Sequence, residues 1–217
     1  MKYYPVFFNM KDKRCLVVGG GPVGARKAFG LEKCGAIVKV VSDRFTAQFD
    51  DLKTSTICLE KKEYDKEDVK GMFLVFAATN NAGLNQQIKK DAEVLNILCN
   101  VADATNKSDF ILPSTVDRGD LIIAVSTSGS SPAMAKEIRQ DLEHRFGPEY
   151  TKLLQLMGNI RKKLLTSDHA PEDHKKLFKA LIKKEILELI RASDKIKINS
   201  ILYDVLGKGY LYEDLVP

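Results

Sequence analysis

Between Arg14 and Asn100, short β-branched apolar runs alternate with longer amphipathic stretches. A run of four or five apolar residues has the length of a buried strand. A stretch whose apolar positions recur every three or four residues buries one helical face. The pattern predicts strands over 15–18, 38–41, 56–59, 73–77 and 97–100, and helices over 23–33, 45–52, 66–70 and 82–93. Strand and helix in alternation require a parallel sheet covered on both faces, so the expected class is α/β with a Rossmann-like doubly wound parallel sheet.

The pattern changes after Asp109. Two apolar runs, 110–112 and 121–126, flank Asp117-Arg118-Gly119-Asp120, a turn composition, and together predict a hairpin. Ser131 followed by Pro132 is an N-cap with proline at the first helical position, and a helix is predicted over 133–145, ended by Gly147 and Pro148. From Glu149 the chain is charged and helical, with apolar positions at Leu153, Leu154, Leu156, Met157 and Ile160. A second set follows at Leu177, Leu181, Ile182, Ile186, Leu189 and Ile190. Residues 167–171 read as an interhelical loop. The expected domains are 1–113, a nucleotide-binding sheet domain; 114–147, a hairpin and helix; and 148–217, a small helical domain.

With 217 residues and 44% hydrophobic content, the chain can build a sizeable core without covalent staples. Cys15, Cys34, Cys58 and Cys99 form no CxxC pair and sit beside apolar runs, so buried reduced thiols and a cytoplasmic location are expected. The N-terminal residues resemble neither a signal peptide nor a membrane span. A net charge of +5, with no basic tract before the last third, fits an anionic small molecule better than nucleic acid. His144, His169 and His174 do not have metal-ligand spacing, and no resident metal is expected.

Gly19-Gly20-Gly21-Pro22-Val23-Gly24 lies between a predicted strand and a predicted helix. In that context glycines permit a tight turn, a close approach to a pyrophosphate and close helix packing, while the helix N-terminus presents free N–H groups. Asp43, nineteen positions after Gly24, is placed to bind an adenosine ribose and favours NAD. Arg44 beside it weakens that preference, since a cation there could instead meet a 2′-phosphate. Ala78, Thr79 and Asn80 end the fourth strand, where they either line the cofactor crevice or cap the next helix.

Four segments together resemble the precorrin-2 dehydrogenase and sirohydrochlorin ferrochelatase family, whose module also forms the N-terminal half of sirohaem synthases. They are Tyr4-Pro5-Val6-Phe7; Val17 through the glycine turn to Ala25-Arg26-Lys27; Cys99-Asn100-Val101-Ala102-Asp103; and Phe110-Ile111-Leu112-Pro113-Ser114 through Asp117-Arg118 to Ser128-Gly129-Ser130-Ser131-Pro132. The resemblance implies NAD-dependent oxidation of precorrin-2 to sirohydrochlorin, with iron insertion an open second activity and ferrous iron then a substrate. It also implies a homodimer in which 114–147 is the dimerisation segment.

Spacing alone makes Asp103 a cap or turn residue, whereas the resemblance makes it catalytic. For the carboxylate-rich tetrapyrrole, Arg118 is the first expected ligand through its bidentate fork, followed by Lys136, Ser126, Thr127 and Ser128. Arg139 and Lys107 are weaker candidates. Thr127 stands where some members of the family carry a serine that accepts phosphate. A different class of reading is a non-catalytic NAD(H)-sensing regulatory subunit, distinguished by nucleotide binding without turnover.

Overall fold

The β-branched runs form five strands, β1 (Arg14–Val18), β2 (Ile37–Ser42), β3 (Ile57–Lys61), β4 (Leu74–Ala77) and β5 (Leu98–Val101). This computed structural model describes residues 2–52, 56–102, 104–166, 171–183 and 185–216, with the backbone alone at 51, 52, 105, 171–175 and 183. All five strands run parallel, in the order β3-β2-β1-β4-β5. Burial on both faces explains why β1 and β4 read as continuous apolar runs. Within β1, Cys15 and Val17 join one core with Ala25, Ala28 and Leu31 of helix α1 (Pro22–Lys33). Leu16 and Val18 point to the opposite face, where Ile88 and Ala92 of α2 (Ala82–Val94) cover them.

The predicted helices over 45–52 and 66–70 are shorter than expected: only the 3₁₀ turns Ala47–Leu52 and Lys66–Val69 form. A segment of so few residues gains too few hydrogen bonds to sustain an α-helix, and tertiary contacts set its shape. Phe49 is fully buried, and the second turn is capped by Asp65 and Asp68. The Asp68 carboxylate, 4% exposed, accepts from Lys39 Nζ at 2.9 Å, Lys62 Nζ at 2.7 Å and the Asp65 N–H at 2.9 Å. Although burial opposes its charge, these donors hold its pKa below the usual carboxylate range.

The cysteine expectation holds for half of the set. Cys15 and Cys99 are buried, which pushes both thiols up to about 11, but Cys34 and Cys58 are exposed. Cys34 caps the end of α1 and Cys58 points outward from β3, an edge strand.

The chain divides into two compact units, 1–112 and 113–217. The hairpin of the second unit pairs β6 (Ser114–Arg118) with β7 (Leu121–Val125). The run 110–112 is therefore not a strand. Phe110 instead packs edge-on against Phe76, ring centroids 5.5 Å apart, in the core of the first unit. Asp117 and Arg118 belong to β6 and only Gly119-Asp120 turn, with positive φ at Gly119 alone, the pattern of a type II′ turn. Helix α3 (Pro132–Arg145) follows, and Ser131 caps it by accepting from the Met134 N–H.

Helices α4 (Glu149–Leu165), α5 (Pro171–Lys183), α6 (Ile186–Arg191), α7 (Lys195–Leu206) and α8 (Tyr212–Leu215) complete the second unit. Leu156, Ile160 and Leu164, spaced four apart on α4, pack with Leu181, Ile190, Ile198 and Leu202. Ile182, expected in that core, is exposed. Of the predicted loop 167–171, residues 167–170, including His169, lie outside the described residues.

Candidate functional site

The register aligns Val18 with Ala77 and Ala77 with Val101, so the segments that leave β1, β4 and β5 emerge along one carboxyl edge of the sheet. Strand order reverses between β1 and β4, since the chain runs from β1 outward to β3 and returns to β4. Connections on either side of such a reversal diverge to opposite faces and leave a crevice, the usual ligand position in this architecture.

The glycine turn fills that position. Gly19 has φ +126°, and a Cβ there would overlap the Ala78 carbonyl oxygen. A Cβ on Gly20 would overlap the Arg44 carbonyl, and one on Gly24 the Gly19 carbonyl. Gly21 differs, for nothing lies within 4 Å of its ideal Cβ position. It is the N-cap of α1 and provides no side-chain cap. Among the described residues none accepts the N–H of Gly21 or Val23. An open cradle with unpartnered N–H groups at the positive end of a helix fits the pyrophosphate of a dinucleotide. Gly19, Gly20, Gly21, Pro22, Val23 and Gly24 all lie in this turn.

Asp43 is exposed immediately past β2, beside that turn: Ser42 Oγ donates to the Arg44 carbonyl at 2.8 Å and lies 3.4 Å from Asp43 Oδ1. Arg44 is also exposed, and its side chain pairs with none of the described residues. Ala78 continues the β-ladder through its N–H to the Val18 carbonyl, 2.8 Å, directly under Gly19.

Thr79 departs from the cofactor-lining expectation. Its hydroxyl lies 2.7 Å from Asn85 Oδ1 and 3.1 Å from the Asn81 carbonyl, and its N–H and carbonyl are both bonded to buried Asn85. Thr79 shapes the turn, and Asn81, not Asn80, caps α2 through the Leu84 N–H.

Asp103 lies outside the described residues. The segment around it is anchored at both ends. Ser108 Oγ accepts from the Val101 N–H at 2.8 Å and lies 3.2 Å from the Val101 and Ala104 carbonyls. Asp109 accepts from the Cys99 N–H and from Lys89, and buried Asn100 donates to the Phe110 carbonyl. Sequence reasoning missed Ser42, Asn85, Asn100 and Ser108. What they share is a polar side chain bonded to backbone, at a strand end for Ser42 and Asn100 but well past one for Asn85 and Ser108, which left the latter two without a local signal.

In the second unit Arg118 is a correction. Its Nε donates to the Phe146 carbonyl at 2.8 Å, Nη2 to Glu143 at 3.1 Å and Nη1 to Asp117 at 2.8 Å, so the fork caps the end of α3. A helix C-terminus presents several unpaired carbonyls, and a planar cation answers them as well as it answers a carboxylate. Thr127 is likewise turned inward, its hydroxyl donating to the Ser131 carbonyl and accepting the Ser131 N–H. Ser126, Ser128 and Lys136 are exposed, and among the described residues Lys136 pairs with none. Arg139 is paired with Glu143. Exposed His144 has Nδ1 2.7 Å from the Gln140 carbonyl, and no cluster among the described residues would hold a metal.

A family model described as putative NAD(P)-binding matches residues 6–114, and one described as the central part of sirohaem biosynthesis proteins matches 118–145. The siroheme synthase of Edwardsiella ictaluri is 38% identical over 165 residues, 76% of this chain and 36% of the relative. That of Nitrosococcus oceani is 33% identical over 214 residues, 98% of this chain and 46% of the relative. The chain thus spans less than half the length of these relatives. Among solved structures, SirC, a precorrin-2 dehydrogenase, superposes with a TM-score of 0.76 at 25% identity, covering 94% of this chain and 98% of SirC.

Proposed function

This chain belongs to the siroheme synthase family, and from that premise we propose that it oxidises precorrin-2 to sirohydrochlorin with NAD as oxidant. The observation that carries the reading is the open cradle at Gly21, set where the strand order reverses and beside the exposed carboxylate of Asp43. Bound there, NAD supplies the acceptor for the hydride.

The chain's own residues orient the dinucleotide and take up the proton. The N–H groups of Gly21 and Val23 hold the pyrophosphate and Asp43 the adenosine ribose, while Asp103 accepts the proton that leaves with the hydride. The role of Asp103 rests on the family resemblance and on its place two residues past the end of β5. For the carboxylates of the macrocycle, the supported ligands are Lys136 with the hydroxyls of Ser126 and Ser128, all exposed.

Homodimerisation through the second unit belongs to the same proposal. Ile122, Met134 and Ile138 are exposed there, and a two-stranded hairpin has unpaired edges for a twofold mate to cover. The free thiols fit a cytoplasmic site of action. Among the described residues no helix is long and apolar enough to cross a membrane.

Incubating the purified chain with precorrin-2 and NAD, while following NADH formation, tests the proposal. Steady turnover that Asp103→Asn abolishes is the expected result. NADH binding without turnover would replace the enzyme with a nucleotide-sensing subunit, and full activity in Asp103→Asn would remove the base assignment. Adding sirohydrochlorin and ferrous iron in a second reaction reads out iron insertion, with iron as substrate.

A further inference from the structure

We propose that Thr46 is a positioning residue for the dinucleotide, acting through the Gly20–Gly21 peptide; the proposal rests on the cradle assigned above. Thr46 lies past β2, well separated in sequence from the glycine turn, yet its N–H donates to the Gly20 carbonyl and its hydroxyl shares its one proton between that oxygen and the Gln48 side chain. Its N–H reaches that oxygen at 2.9 Å and its hydroxyl at 3.2 Å. The Gln48 side-chain oxygen stands 3.1 Å from the same hydroxyl.

The peptide bond makes this grip consequential. Every peptide described is trans, and in a planar trans peptide the carbonyl and the following N–H point in opposite directions. Drawing the Gly20 carbonyl toward Thr46 therefore sends the Gly21 N–H to the other side, away from the β2 loop. That N–H has no acceptor among the described residues, and the space around the Gly21 Cβ position is open.

A second contact keeps the peptide from rotating. A Cβ on Gly20 would overlap the Arg44 carbonyl and lie 2.9 Å from Ser42 Oγ, so the turn is seated directly against the segment that carries Asp43. Ser42 holds that segment by donating to the Arg44 carbonyl. Phe45 anchors it from the other side, packing edge-on against buried Phe49 at 5.1 Å. The Thr46 hydroxyl thus links the pyrophosphate turn to the ribose-binding loop.

The test compares wild type, Thr46→Val and Thr46→Ser by NADH fluorescence, with ADP-ribose and adenosine as competitors. Loss of one neutral hydrogen bond from the Gly20 carbonyl should weaken NADH and ADP-ribose roughly three- to tenfold in Thr46→Val. Adenosine, which has no pyrophosphate, should bind unchanged, and Thr46→Ser should restore the wild-type values. Equal NADH affinity in wild type and Thr46→Val overturns the proposal. Equal weakening of adenosine overturns it too, because Thr46 would then serve the ribose side. Failure of wild type to bind NADH at all would instead strike the cradle itself.

Discussion

Replacing Gly21 by alanine separates the binding of the cofactor from the folding of the turn that binds it. Gly21 has φ −87° and ψ −177°, an extended conformation that alanine adopts freely, and the added methyl meets nothing within 4 Å. Stiffening the unfolded chain stabilises the variant by about 0.4–1 kcal/mol. Alanine is a poorer N-cap than glycine, at a cost of about 0.5–1 kcal/mol. The two nearly cancel, so the melting temperature should move by less than about 2 °C.

Binding should not be spared. The methyl stands where the pyrophosphate must approach, and loss of a single hydrogen bond to a charged group costs roughly 1.5–3 kcal/mol. That is a fall of about ten- to hundredfold in NADH affinity, readable by fluorescence titration. Gly24→Ala is the contrasting control, since its Cβ overlaps the Gly19 backbone carbonyl and overpacking of that kind costs about 1–3 kcal/mol of stability. A folded Gly21→Ala protein that bound NADH as tightly as wild type would refute the placement of the pyrophosphate.

Three further outcomes are expected. Asp43→Ser removes the carboxylate that would repel a 2′-phosphate while leaving exposed Arg44, so relative affinity should shift toward NADPH by roughly tenfold, measured by parallel titrations of both reduced cofactors. Because its folded pKa is lowered, Asp68 contributes stability above the ordinary carboxylate pKa, and that contribution is lost as pH falls below about 4. Asp68→Asn should cost about 2–4 kcal/mol at pH 7, lower than a fully buried pair because Lys62 reaches solvent, and urea melts at several pH values should show a flatter acid limb. Arg118→Ala leaves the carbonyls of Glu143 and Phe146 without their donor and should destabilise the second unit by roughly 1–3 kcal/mol in thermal melts. Arg118→Lys should recover only part, because an ammonium lacks the planar fork.

The central strands of the first unit were legible because they are buried on both faces and apolar nearly throughout, as in β1, where Cys15 to Val18 are all buried, and β4, where Leu74 to Ala77 are. The glycine turn was legible for a related reason: backbone crowding at Gly19, Gly20 and Gly24 leaves no room for any side chain. The same apolar criterion misread 110–112, since a run that fills a core through Phe110 has the composition of a strand. It also overextended the helices over 45–52 and 66–70, where short segments take their shape from what they pack against.

The alternation of runs and the spacing of glycines thus determined a parallel sheet and the presence of a nucleotide turn, because hydrophobic burial and backbone sterics act on residue type at fixed intervals. Which polar side chain serves a ligand and which serves the backbone was decided only by tertiary structure. Arg118 and Thr79 have the donors that a substrate or a cofactor would want, but unpaired backbone groups lie nearer: the end of α3 for one, the turn before α2 for the other. Thr46 shows the converse, an unremarked residue given its role by a carbonyl brought within 3.2 Å from a distant part of the chain. Hydrogen bonds are short-ranged and directional, so their partners follow from where the folded chain places them and not from the order of residues along it.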